Sequence, residues 1–78
     1  MSHKEQSKQA LQTLGGLVKS HNIAHNQIAE KIGISRQAVT QMLSGKFHPT
    51  LDNVFRVLNA LNELSGQDYD IFFISNPR

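Results

Sequence analysis

Apolar residues recur every three to four positions in four successive stretches of this chain, each closed by a break in the pattern, and together they predict an all-helical domain. Leu11, Leu14, Leu17 and Val18 place a first helix over about 4–21. Gly15 and Gly16 weaken it by roughly 1 kcal/mol each relative to alanine, a cost that close helix packing would offset. Ile28, Ala29 and Ile32 form the inner face of a short second helix over about 24–32, and Gly33 stands where a left-handed residue would end it. A third helix, over about 36–43, turns Ala38, Val39 and Met42 inward, with Ser35 as its N-cap and Ser44-Gly45 as its stop. Lys46 to Pro49 is a loop, because the residue before a proline is pushed out of helical geometry. Thr50 then caps a fourth helix whose Leu51, Val54, Leu58 and Leu61 form an apolar stripe.

Beyond Asn62 the period changes. Ser65-Gly66-Gln67-Asp68 is a turn signal, and Tyr69-Asp70-Ile71-Phe72-Phe73-Ile74 is β-branched and aromatic, which predicts a short C-terminal β-strand. With Ile71 and Phe73 on one face and Phe72 and Ile74 on the other, that strand needs cover on both sides and a neighbour for its backbone. A second copy of the chain would supply both. The expected organisation is a helical domain over 1–66 followed by a dimerisation tail over 67–78, with Phe55, Tyr69, Ile71, Phe72, Phe73 and Ile74 in the dimer interface.

Seventy-eight residues are enough for one modest core, near the size at which a single core is only marginally stabilising. There is no cysteine, so neither a disulfide framework nor a thiolate metal site contributes. The N-terminal residues are polar, and no stretch approaches the roughly 20 apolar residues of a membrane span, so the expectation is a soluble, cytoplasmic protein with no membrane partner. The net charge is +2 and the pI about 9.3, compatible with nucleic acid but not decisive. Distribution says more: Asp52, Glu63, Asp68 and Asp70 follow the third helix, whereas Lys31, Arg36 and Lys46 lie in or beside the second and third.

The third helix is the chemically informative element. Its outer row, Arg36, Gln37, Thr40 and Gln41, matches the hydrogen-bonding edges of base pairs in a major groove. Arginine donates two hydrogen bonds to guanine O6 and N7, and glutamine pairs likewise with adenine. A cation in a first helical turn opposes the helix macrodipole, which argues for a functional reason behind Arg36. Lys46, just past a glycine stop, is placed to meet phosphate, and His48 in the same loop is a weaker candidate. Lys31 reads as a solvated surface charge. His21 and His25 are four residues apart, but a helix end falls between them and no third ligand is evident, so no metal is expected. No nucleophile, base and orienter set is recognisable, and nothing points to a cofactor or an enzyme.

The run from Ile28 to Ser35 through Val39, then Leu43-Ser44-Gly45-Lys46, Pro49-Thr50-Leu51 and Leu58-Asn59-Ala60-Leu61, resembles the Cro/C1-type, or Xre-type, helix-turn-helix family over about 17–61, with the motif itself at 25–44. The resemblance implies a lambda-repressor-like head of four to five helices that binds a pseudo-palindromic operator in double-stranded DNA, usually as a two-fold homodimer. It places base contacts on Arg36, Gln37, Thr40 and Gln41. Phosphate contacts fall on His25, where the family commonly has glutamine, with Asn26 and Gln27 beside it, and on Ser35, Ser44 and Lys46. Ala24 stands where the family has a capping serine or threonine. The expected function is a sequence-specific regulator, a small dimeric repressor acting by occlusion because the chain leaves no room for an effector domain. The aromatic tail resembles those of some antitoxin members, which gives a sharper variant: an antitoxin repressing its own operon. The rival expectation is a protein-binding module whose exposed phenylalanines and isoleucines engage another protein, such as a toxin.

Overall fold

Capping interactions set most helix boundaries among the described residues. The computed structural model describes residues 3–46 and 50–71, and over them the backbone forms α1 (His3–Ser20), α2 (His25–Ile32), α3 (Arg36–Leu43) and α4 (Leu51–Ser65). Helix α1 closes on Asn22, whose φ of 57° is left-handed. Asn22 N–H donates to Lys19 O and Ile23 N–H donates to Val18 O, both at 3.0 Å, which satisfies carbonyls that the helix end would otherwise leave unpaired. Ser35 Oγ accepts from Ala38 N–H at 3.1 Å to start α3, and Thr50 Oγ1 accepts from Asn53 N–H at 3.2 Å to start α4. Alanine at position 24 cannot cap α2 in this way. The Gln27 carboxamide oxygen instead reaches back to accept from Ala24 N–H at 2.9 Å.

Helix α1 packs on α3 and α4, and α2 packs on α3 and α4, around one apolar core. Leu11, Leu14 and Val18 of α1, Ile28 of α2, Val39 and Met42 of α3, and Val54, Val57 and Leu61 of α4 are fully buried. The glycine pair of α1 divides its roles. A Cβ at Gly15 would stand 3.3 Å from the Cβ and from the carbonyl O of Leu43, whereas one at Gly16 would meet nothing within 4 Å. The close packing expected of the pair therefore belongs to Gly15.

Two expectations require correction. Leu51 does not extend the α4 stripe inward; it is 54% exposed, and Val57 and Ala60 complete the face that Val54, Leu58 and Leu61 begin. At 3.6 residues per turn positions 51 and 57 lie about 60° to either side of 54, and the buried side is the one that Val57 and Ala60 share. The second correction concerns the C-terminal strand. Among the described residues there is no strand. Tyr69 N–H donates to Asn62 Oδ1 at 2.9 Å and Asn62 Nδ2 donates to Tyr69 O at 3.0 Å, so one side chain takes both backbone groups that a strand would offer a neighbour. The Tyr69 hydroxyl lies 2.8 Å from His21 Nε2, and the rings of Tyr69 and His21 meet edge-on at 5.9 Å. Tyr69 and Ile71 are half-buried against the core of their own chain. Phe72, Phe73 and Ile74 lie outside the described residues, as does His48. Among the described residues no helix is long and apolar enough to cross a membrane.

Candidate nucleic-acid interface

Helices α2 and α3 are joined by a tight turn that Gly33 makes possible: its φ is 76°, and its N–H donates to Ala29 O at 2.8 Å. The Ser35 cap then sets where α3 begins and so fixes its rotation. With Val39, Met42 and Leu43 buried, Arg36, Gln37, Thr40 and Gln41 share the opposite, exposed face. The four side chains predicted to read bases thus occupy one edge of one helix.

His25, the first residue of α2, joins this edge from the side. Its Nδ1 lies 2.7 Å from Thr40 Oγ1, and Thr40 Oγ1 donates to the Arg36 carbonyl at 3.1 Å. The Arg36 carbonyl can only accept, so when it holds the one hydroxyl proton the His25 Nδ1–H is the donor in the first bond. Asn26 is exposed in the same first turn. The Gln27 oxygen is held by the cap, which leaves its amide N–H groups to donate outward. At α3, Ser35 Oγ is occupied as an acceptor by Ala38 N–H and retains its own proton for an anion.

The far end of α3 is built around the Gln41 carbonyl, which accepts from Ser44 Oγ at 2.8 Å and from Lys46 N–H at 3.0 Å. These bonds tie the Ser44 hydroxyl inward and anchor the Lys46 backbone, leaving the Lys46 side chain exposed. Gly45 lets the chain turn here: its φ is 78°, and a Cβ would come within 2.6 Å of Lys8 Cγ. The aliphatic stem of Lys8 therefore lies across Gly45 and adds a second exposed lysine to this end of the motif. Sequence reasoning missed Lys8. It sits on the polar face of α1, and nothing local distinguishes it from its neighbours.

The remaining charges sort themselves away from α3. Lys31 Nζ lies 2.9 Å from Glu63 Oε2 in a surface ion pair that leaves both side chains exposed, and Arg56 Nε lies 3.3 Å from Asp52 Oδ2. The two histidines considered as metal ligands are separated by their partners, His21 with Tyr69 and His25 with Thr40. Among the described residues no group of three histidine, cysteine or acidic side chains could hold a metal ion.

A capped helix, a left-handed glycine turn and a second helix showing polar base-matching side chains agree with an established sequence family, helix-turn-helix, whose pattern matches residues 17–68. The chain belongs to the Cro/C1-type, or Xre, helix-turn-helix family. Membership places residues 17–68 in a helix-turn-helix domain of the kind that binds DNA. An uncharacterised protein of Haemophilus influenzae is 40% identical over 52 residues, which are 67% of this chain and 52% of that protein. The chain thus spans about half the length of the curated relative it matches. No solved structure matches it significantly.

Proposed function

We propose that this helix-turn-helix protein is a sequence-specific transcriptional regulator, a small repressor that binds a pseudo-palindromic operator as a homodimer and acts by occlusion. The observation that carries this reading is the exposed edge of α3, where Arg36, Gln37, Thr40 and Gln41 stand together over buried Val39 and Met42. Around it, the N-termini of α2 and α3 offer free backbone N–H groups to phosphate, and Lys46 and Lys8 add cations at the other end. A two-fold dimer would set two α3 helices roughly 34 Å apart, one turn of DNA, and so select a symmetric site. A cytoplasmic location and the absence of catalysis belong to the same reading. The antitoxin variant leaned on the C-terminal strand and is weaker without it.

A protein-binding role is the second reading, favoured by Leu51 and Phe55, which are 54% and 42% exposed one turn apart on α4. The same patch serves the first reading as a dimer surface. Selection from a random duplex pool at near-physiological salt, with wild type and Arg36→Ala in parallel, separates the two. A two-fold motif that disappears with Arg36→Ala supports the regulator. No enrichment by wild type, with partner capture abolished by Phe55→Asp, supports the module.

A further inference from the structure

Thr40 stands in the middle of the exposed edge of α3, yet its hydroxyl is already used within the protein. The proton goes to the Arg36 carbonyl at 3.1 Å, and the oxygen accepts from His25 Nδ1 at 2.7 Å. With His25 donating from Nδ1 and the hydroxyl proton on the Arg36 carbonyl, none remains for guanine O6 and N7, adenine N7 or thymine O4. The two bonds also fix χ1, because rotation about Cα–Cβ would break both. Beside one lone pair, which could accept from adenine N6–H or cytosine N4–H, such a threonine presents its γ-methyl, carried in one orientation on exposed Thr40. In a major groove the group that an exposed methyl recognises is the 5-methyl of thymine.

We infer that Thr40 reads a thymine methyl through its own methyl, and that His25 is the positioning residue that holds it there from α2. The inference rests on the DNA-binding reading above and adds to it a base identity and a second role for His25. His25 then orients Thr40 through Nδ1–H. A family glutamine at position 25 could donate the same hydrogen bond, so His25→Gln is the conservative replacement and His25→Ala the disruptive one.

The test uses the duplex selected from the random pool, with each thymine replaced in turn by deoxyuridine, which differs only in the missing methyl. At one symmetric position per half-site, binding by wild type should fall about fourfold per methyl removed, the effect of withdrawing one methyl from an apolar contact. Thr40→Ser keeps the hydroxyl and loses the methyl; it should bind thymine and uracil duplexes equally at that position. Thr40→Val keeps a methyl and loses the hydroxyl; it should still discriminate. His25→Ala should narrow the thymine-to-uracil ratio and His25→Gln restore it, whereas a merely structural role for His25 would weaken both duplexes alike. Uracil tolerated at every position by wild type, or discrimination retained by Thr40→Ser, overturns the inference while leaving the regulator reading intact. A pool that yields no motif overturns that reading, and the inference with it.

Discussion

Gly15 and Leu43 touch where α1 has no side chain: a Cβ on Gly15 would lie 3.3 Å from both the Cβ and the carbonyl O of Leu43. The contact brings α1 directly onto the last turn of α3, and so onto the end of the helix that carries the base-reading edge. It also sets up a comparison with the adjacent glycine. Gly16→Ala meets open space and should stabilise the protein by about 0.5–1 kcal/mol through helix propensity, raising Tm by roughly 4 °C in a domain of this size. Gly15→Ala gains the same propensity but requires the Leu43 Cβ and carbonyl to give by a few tenths of an ångström, so its Tm should fall below that of Gly16→Ala. Thermal unfolding followed by circular dichroism reads the difference, and equal gains would show that α1 does not need the close approach.

A second comparison involves two left-handed glycines. Gly33 and Gly45 have φ of 76° and 78°, but a Cβ at Gly33 meets nothing within 4 Å while one at Gly45 comes within 2.6 Å of Lys8 Cγ. Gly33→Ala should cost about 1–2 kcal/mol from backbone strain alone. Gly45→Ala should cost more, and it should also displace the Lys8 stem. Urea unfolding of the two variants gives the order, and Gly33→Ala proving the more damaging would contradict it.

The tail is held by Asn62 and His21. Tyr69→Phe removes one hydroxyl contact and should lower stability by about 0.5–1.5 kcal/mol. Asn62→Ala withdraws the partner of both Tyr69 backbone groups and should cost more. Amide hydrogen exchange at Tyr69 should accelerate strongly in Asn62→Ala and little in Tyr69→Phe.

On DNA, base and phosphate contacts separate by their dependence on salt and sequence. Arg36→Ala should weaken binding to the selected duplex by about 1–3 kcal/mol and relax the preference at one position. Lys46→Ala should weaken all sequences alike and reduce the slope of log K against log salt by about 1. Lys8→Ala should resemble Lys46→Ala. A sequence-dependent loss on removing Lys46 would place it at a base edge instead.

What could be read from the residues alone is what local interactions decide. Ser35, Thr50 and Gly33 act on groups within four residues, and the apolar period of α2 and α3 lies within single helices, so the motif and its exposed row from Arg36 to Gln41 were legible before any folding was known. The four-helix body and the family followed from the same signals. Contacts between residues distant in sequence were not legible. His25 meets Thr40 across 15 positions, Lys8 meets Gly45 across the helix layer, and Tyr69 meets His21 across 48. The alternating residues from Tyr69 onward carry the composition of a strand, but composition does not say which groups will satisfy the backbone. Only the packed structure puts Asn62 beside Tyr69, where its carboxamide takes the one N–H that this residue could donate to a neighbouring strand and bonds its C=O as well.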